Sequence, residues 1–262
     1  MKKYILILFY SIFISSLAFA QQKKPLDFSV YDGWNVLEGY SISDDGKWVA
    51  YEVSPYKGDG KLVIMNPDRL VEKTFYRGAK AEFSPTSKYV AFKVVPQGDT
   101  VRQLKLKKVK KEKLPKDSLK LWVFKTNKLI GVSELNSFKI PEENSEWLAY
   151  THTFNEKEED KEKEKKNDKK VKDAPNVYDL VIINPVKDLE YRFKNVSEFT
   201  ISRNGKLIGF VQVDADSILH SKVSVFDTEK EDIQKIFENQ GLAKKISVDN
   251  LGKQSSFYFF GR

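Results

Sequence analysis

The chain has 262 residues, no cysteine, two histidines and a formal net charge of +8. Without cysteine there can be no disulfide, thiolate zinc site or cysteine nucleophile. A hydrophobic core must therefore stabilise the fold, and the length is sufficient for one. We expect no histidine-based metal site, because only His152 and His220 are present and an isolated histidine is usually packed or exposed.

Residues 1–20 have the pattern of a secretory signal peptide. Two lysines precede an apolar stretch from Tyr4 to Leu17, and Ala18-Phe19-Ala20 forms an A-x-A cleavage site. The apolar stretch is short for a membrane-spanning helix and ends in small residues, so cleavage is favoured over anchoring. We therefore expect an exported protein, periplasmic or extracellular, that starts at Gln21 and has no stable membrane anchor.

A nine-residue pattern recurs along the mature chain. The segment from Ser43 to Tyr51 (SDDGKWVAY) returns from Ser202 to Phe210 (SRNGKLIGF). Asp or Asn before Gly suits a tight turn, because glycine adopts positive φ without steric cost. The short apolar run that follows is typical of a strand buried on both faces. Less similar copies begin at Ser84, Pro141 and Ser247.

A second segment follows each turn motif. Leu62 to Pro67 (LVIMNP) and Leu180 to Pro185 (LVIINP) are identical at five of six positions. Leu121 to Asn127 and Val223 to Thr228 occupy the same place in their units. A third segment then leads to the next turn: Lys73 to Ser84 parallels Glu190 to Ser202.

Each unit therefore predicts four short antiparallel strands. The units recur at intervals of about 40–60 residues, which is typical of the blades of a β-propeller. The turn positions that mark the units are Gly46, Ser87, Ser145, Gly205 and Gly252. We expect an all-β fold over residues 21–262, with four to five blade-like units in an incomplete ring. A β-sandwich with chance similarity between its hairpins is the alternative fold.

Two charged insertions interrupt the pattern. Residues 102–120 hold nine basic and two acidic residues, whereas residues 155–173 hold eight of each and one apolar residue, Val171. Apart from the first insertion and the leader, the chain carries a net charge of only −1. The basic insertion has no aromatic residue for base stacking, so we expect a solvated loop or contact with an anionic surface rather than nucleic-acid binding. The second insertion is expected to be disordered or transiently helical.

The sequence has no catalytic constellation that we can identify. The strings nearest to a G-x-S-x-G nucleophile elbow begin at Gly39 and Gly131, and both lack the second glycine. Phosphate-binding, dinucleotide-binding and zinc motifs are also missing. The carboxylate pairs Asp44-Asp45 and Glu142-Glu143 fall on repeat turns, and Glu158-Glu159 falls in the charged insertion. We therefore assign no catalytic, cofactor-binding or metal-binding residue.

Several segments together carry a resemblance to a known family. They are, in chain order, Ser29 to Trp34 (SVYDGW), Ile42 to Tyr51, Gly58 to Ile64 (GDGKLVI), Thr100 to Lys107 (TVRQLKLK) and Leu114 to Leu119 (LPKDSL). In this order, after an exported leader, they resemble the N-terminal propeller of exported bacterial S9 (prolyl oligopeptidase-like) serine peptidases. The Lys/Glu-rich insertion is similar to one in members of that group.

The resemblance implies a function for the whole parent protein. Members of the family carry an α/β-hydrolase domain with a Ser-Asp-His triad after the propeller, and the propeller admits short peptides but not folded proteins. No triad residue matches any position of this chain. The expectation is the propeller part of such a peptidase, with short peptides as substrates and the hydrolase domain as its partner. The alternative is a stand-alone exported propeller that binds a protein or glycan.

Overall fold

The structure is a computed structural model that describes residues 28–153, 174–215 and 218–261. The predicted leader and the predicted insertion at residues 155–173 lie outside the described residues. Within the described residues, antiparallel strands dominate, and no helix is long and apolar enough to cross a membrane.

The first two units form separate four-stranded sheets, here called blades 1 and 2. Blade 1 comprises β1 (Asn35–Ile42), β2 (Val49–Pro55), β3 (Lys61–Asn66) and β4 (Val71–Tyr76). Blade 2 comprises β5 (Gly78–Phe83), β6 (Tyr89–Val94), β7 (Ser118–Val123) and β8 (Lys128–Val132). In both sheets each strand pairs antiparallel with the next strand in the chain, as expected for a propeller blade.

Blades 3 and 4 share one long strand. Blade 3 begins with β9 (Leu135–Lys139), β10 (Leu148–His152) and β11 (Tyr178–Asn184). The long strand β12 (Leu189–Ile201) pairs with β11 up to Val196 and with β13 from Val196 onward. The same strand is thus the outer strand of blade 3 and the inner strand of blade 4.

Blade 4 is completed by β13 (Leu207–Asp214), β14 (His220–Asp227) and β15 (Asp232–Gln240). A fifth unit contributes the pair β16 (Leu242–Val248) and β17 (Ser255–Phe260). The crossover between successive blades has a left-handed residue each time. These residues are Arg77 (φ 60°), Glu134 (φ 55°), Asn195 (φ 59°) and Gly241 (φ 131°).

The hydrophobic core is divided into four clusters, one between each pair of successive blades. Between blades 1 and 2, for example, Ala50 and Ile64 pack against Phe92 and Trp122. Residues on the central strands of blades 2, 3 and 4 are buried on both faces, because each of these blades has a neighbour on either side. This explains the continuous apolar runs in the sequence, and it confirms the predicted propeller blades.

The basic insertion is only partly the loop that the sequence predicted. Its beginning lies in a helix, α1 (Gly98–Leu106), a second short helical turn covers Lys111–Lys113, and its end belongs to β7. The helix forms because nine consecutive residues contain no proline and no internal glycine, and because Val101 and Leu104 fall three positions apart on the face turned to the blade.

Candidate functional site

The repeated turn motif joins the first two strands of each blade, and its geometry is the same in blades 1 and 4. In blade 1, Ser43 Oγ accepts a hydrogen bond from the Trp48 N–H at 3.0 Å and donates to Asp45 Oδ1 at 2.7 Å. In blade 4, Ser202 Oγ accepts from the Leu207 N–H at 3.0 Å and donates to Asn204 Oδ1 at 2.9 Å. A buried serine therefore closes each turn with its own side chain.

The other copies keep the turn with substitutions that the sequence did not fully reveal. In the last copy, Asp249 and not Ser247 takes the place of the turn-closing serine, because Asp249 Oδ1 accepts the N–H groups of Lys253 and Gln254. In the copy that begins at Pro141, the left-handed residue is Asn144 (φ 48°) and not the predicted marker Ser145. That copy has one extra residue before its strand, which shifts the alignment by one position.

Turns of neighbouring blades are hydrogen-bonded to one another. The Asp45 N–H donates to Ser87 Oγ at 3.1 Å, which links blades 1 and 2. The N–H groups of Glu142 and Glu143 both donate to the Arg203 carbonyl at 3.0 Å, which links blades 3 and 4. Farther along, Asn204 Nδ2 donates to the Leu251 carbonyl at 2.8 Å. The turns therefore form a rim at one end of the inner strands, here called the turn rim, with hydrogen bonds from blade 1 to blade 2 and from blade 3 through blade 4 to the fifth unit.

A polar cavity of about 390 Å³ opens beside the turn rim. It is bounded by the inner strands of blades 2, 3 and 4 and by three of the rim turns. Its lining comprises Glu82, Phe138, Lys139, Ile140, Pro141, Glu142, Thr200, Ile201, Ser202, Arg203 and Asn250. Because inner strands of three successive blades meet here, this cavity is the candidate functional site.

Arg203 lines the cavity and pairs with two carboxylates. Its Nε lies 3.0 Å from Glu142 Oε2 and 3.0 Å from Glu143 Oε1. All three side chains are well exposed, so the pairs are worth little as stabilising interactions. They do bring a guanidinium and two carboxylates together at one place. A polar ligand that binds there could replace one of the carboxylates as the partner of the guanidinium. The sequence placed the two glutamates on a turn, as the structure confirms.

Lys139 and Glu82 also line the cavity, and both residues are exposed. Lys139 Nζ donates to the Phe199 carbonyl at 3.0 Å and lies 5.2 Å from the centre of the Phe199 ring. Desolvation lowers the pKa of Lys139, and the carboxylate of Glu198 opposes that shift. Desolvation also raises the pKa of Glu82, against the attraction of Lys93 and Lys80. The cavity lining thus contains an amino group that donates hydrogen bonds, on Lys139, and a carboxyl group that accepts them, on Glu82.

Neither histidine lines this cavity. His152 lies at the end of β10, where desolvation lowers its pKa and the nearby Asp179 opposes the shift. His220 begins β14. Within the described residues there is also no group of three metal-ligating side chains. The chemistry that the cavity residues support is recognition of a polar ligand by charge and hydrogen bonding.

The fold defines the class of the protein as a β-propeller. No protein-family model and no curated protein matches the chain. Among solved structures, it is similar to Pyrococcus horikoshii acylaminoacyl peptidase, with 13% identity, a TM-score of 0.47, and coverage of 90% of this chain and 37% of that one. The β-propeller domain of the Trilobed protease from Pyrococcus furiosus gives 11% identity, a TM-score of 0.43, and coverage of 87% and 69%.

The similar structures also include TolB from Acinetobacter baumannii, with 12% identity, a TM-score of 0.36, and coverage of 84% of this chain and 48% of that one. The neighbours are therefore propeller domains of S9 peptidases together with other propellers. The chain spans only 37% of the length of the acylaminoacyl peptidase. At these identities the likeness concerns the fold, and a fold by itself does not define a function.

Proposed function

We propose that the chain is the N-terminal propeller portion of an exported S9-type serine peptidase. In this role it controls the access of short peptides to an α/β-hydrolase domain encoded beyond residue 262. The observation that carries the proposal is the ordered set of segments from Ser29 to Leu119, which resembles the propeller of that family and coincides with blades 1 and 2. The predicted leader supports export to the periplasm or the extracellular space.

The cavity supports a selective role for physical reasons. A peptide in extended form exposes N–H and C=O groups and two charged termini, all of which need partners when water is removed. The guanidinium of Arg203, the carboxylates beside it and Lys139 supply such partners. The blades around the cavity are held by fully buried residues such as Leu148 and Phe210, so a folded protein cannot enter by pushing them apart.

In the proposed enzyme, bond cleavage takes place outside this chain. A serine activated by histidine attacks the peptide carbonyl, and the propeller contributes by steric and electrostatic selection. The propeller acts before the chemical step, so its variants should change which peptides are cleaved rather than how fast the smallest substrate is cleaved.

The first test is to sequence the gene beyond the codon for Arg262. The proposal expects an open frame that continues through further blades to a G-x-S-x-G motif, with an Asp and a His farther on. A stop codon directly after Arg262 would overturn it. The chain would then be a propeller that binds a protein or a glycan, and its ligand would be sought by pull-down.

The second test measures size selection in the full-length enzyme with a series of peptides of increasing length. Thr200→Trp places a large side chain in the cavity lining. It should lower kcat/KM for the longest accepted peptides and leave the shortest substrate nearly unchanged. Thr126→Trp is the matched control, because Thr126 is exposed on a turn of blade 2 away from the cavity. If both variants cleave all lengths like the wild type, the cavity does not select substrates.

A further inference from the structure

The connection between β6 and β7 carries charge that the rest of the described structure does not balance. We call residues 98–113, which comprise α1 and the segment after it, the basic arm. Seven of its side chains are exposed cations: Arg102, Lys105, Lys107, Lys108, Lys110, Lys111 and Lys113. None of them lies in an ion pair with another described residue, and the arm contains only two acidic residues, Asp99 and Glu112.

Several cations elsewhere in the described structure are paired with carboxylates. Lys47, Lys88, Lys128 and Lys206, for example, each lie within 4 Å of a carboxylate. Most exposed pairs of this kind contribute little to stability, but they do neutralise the local field. The basic arm differs in concentrating seven unpaired cations within sixteen residues, so a strong positive field is expected around it.

The basic arm also has an apolar side. Val101 and Leu104 are half-buried against the blade, whereas Leu106 is 68% exposed at the end of α1. An open groove of about 620 Å³ runs beside the helix and is lined by Val95, Pro96, Val101 and Leu106, with Arg102 and Lys105 at its border. The arm is therefore amphipathic, because its exposed leucine and the apolar groove lie next to several cationic side chains.

Both ends of the arm are attached to the blades. At its start, the Gly98 N–H donates to Asp59 Oδ1 at 2.8 Å. After its end, Lys93 pairs with Asp117 at 3.2 Å, and Lys116 Nζ donates to Thr153 Oγ1 at 2.6 Å. The arm is thus presented by the fold at a defined place rather than held on a free tail.

The position of the arm separates it from the candidate site. The turn rim joins the first and second strands of each blade, whereas the arm joins the second and third strands of blade 2. These connections lie at opposite ends of β6, which at six residues is about 20 Å long. A surface bound to the arm would therefore leave the cavity at the turn rim open.

We infer that the basic arm binds the surface of a lipid bilayer that contains anionic headgroups. Clusters of lysine and arginine beside exposed apolar residues are attracted to such surfaces, where the cations meet headgroup phosphates and the apolar side chain enters the acyl boundary. Nucleic acid is less suited, because the arm has no aromatic residue to stack on a base. An acidic protein would not account for the exposed Leu106 and the open apolar groove.

The test measures co-sedimentation of the folded protein with vesicles. One set contains phosphatidylcholine with about 30% phosphatidylglycerol, which gives a negative surface potential, and the other contains phosphatidylcholine alone. Binding is expected only to the anionic set, and it should weaken as salt is raised, because the Debye length shortens. A folded protein that fails to bind the anionic vesicles at low salt would overturn the inference.

Two pairs of variants locate the binding surface. The arm variant replaces four lysines with glutamine at Lys105, Lys107, Lys108 and Lys110, and it should bind at least about tenfold more weakly. The control variant makes the same charge change at four exposed lysines elsewhere, Lys61, Lys125, Lys244 and Lys253. Equal weakening of both variants would mean that net charge alone is responsible, and it would overturn the assignment to the arm.

The apolar contribution is tested without any change of charge. Leu106→Gln should weaken vesicle binding by about threefold to tenfold, because the leucine no longer enters the acyl boundary. Leu251→Gln is the control, since Leu251 is 59% exposed on a turn of the fifth unit. Tighter binding to duplex DNA or to polyglutamate than to the vesicles, at equal anionic charge, would contradict the lipid assignment. Circular dichroism and thermal unfolding of each variant confirm that it is folded.

Discussion

Blades 1 and 4 contain the same turn and the same strand pattern, yet their surroundings differ. Blade 4 is covered on both faces, and its Phe210 is fully buried. Blade 1 is covered on one face only. On its other face Tyr40, Ile42 and Tyr76 are 80%, 64% and 78% exposed. The repeat sequence thus sets the local structure of a blade, whereas burial of its apolar residues depends on the neighbouring blade.

The equivalent residues on covered faces show what blade 1 lacks. The register places Tyr51 of β2 where Phe92 stands in β6 and Phe210 in β13. Both phenylalanines are fully buried against the preceding blade, whereas Tyr51 is only half-buried. The exposed face of blade 1 therefore has the composition of an inter-blade interface. Matched substitutions in the two blades can separate the effect of the neighbour from that of the repeat itself.

The largest expected difference comes from truncating the matched aromatic residues. Phe210→Ala should lower the free energy of unfolding by about 3–5 kcal/mol, because it leaves a cavity between blades 3 and 4. Tyr51→Ala should cost only about 1 kcal/mol, because its ring already contacts water. Urea unfolding followed by circular dichroism measures both. Equal losses would show that the exposed face of blade 1 is covered in solution, and analytical ultracentrifugation would then identify a second copy as the cover.

The second comparison uses the matched glycines of the turn motif. Gly46 has φ +70° with nothing within 4 Å of an added Cβ, whereas Gly205 has φ +69° and an added Cβ would lie 2.3 Å from Ser145 Cβ. Gly46→Ala should cost about 1–2 kcal/mol from the left-handed backbone alone. Gly205→Ala should cost about 1–3 kcal/mol more, because the turns of blades 3 and 4 must move apart.

The excess cost at Gly205 can be traced to the turn contact itself. In the double variant Gly205→Ala with Ser145→Gly, the nearest clashing side chain is absent, and the 2.8 Å approach of the added Cβ to Pro141 Cγ remains. The two substitutions together should then cost less than the sum of the single variants in the same urea unfolding experiment. Strict additivity would mean that the contact with Ser145 is not the source of the excess cost.

The sequence predicted those features that depend on local chemistry. The turns at Gly46 and Gly205 follow from Asx-Gly, and the strand assignments follow from short apolar runs, as the structure confirms. Helix α1 was missed because its second half was interpreted as part of a charged loop, which masked the spacing of Val101 and Leu104. Arginine, glutamine, leucine and lysine, which make up the last five residues of α1, all favour helix formation, and that signal could have identified the helix.

Contacts between blades could not be predicted in the same way. The pairing of Arg203 with Glu142 and Glu143 depends on how far one blade is rotated from the next. That rotation results from packing across the whole interface, so it cannot be inferred from the sequence of a single repeat. The cavity beside the turn rim was missed for the same reason, since its lining comes from four units that are far apart in the sequence.

The smallest expected difference between the two turns is electrostatic. Asp45 in blade 1 occupies the place of Asn204 in blade 4. The hydrogen bond from Ser43, the N–H of Lys47 and the charge of Lys47 hold the pKa of Asp45 below its usual value. A carboxylate with a lowered pKa stabilises the fold fully above its unfolded-state pKa, and this contribution is lost as the pH falls through the folded-state pKa.

Replacing Asp45 with asparagine makes the turn of blade 1 chemically equivalent to that of blade 4. We expect Asp45→Asn to lower the free energy of unfolding at pH 7 by about 0.5 kcal/mol or less, because the group is near the surface and well screened. The difference from the wild type should disappear below the folded-state pKa of Asp45, where the carboxyl is protonated. Urea unfolding of both proteins from pH 7 down to the acid limit of the native state measures this. A difference that stays constant with pH would mean that asparagine acts through turn geometry and not through charge.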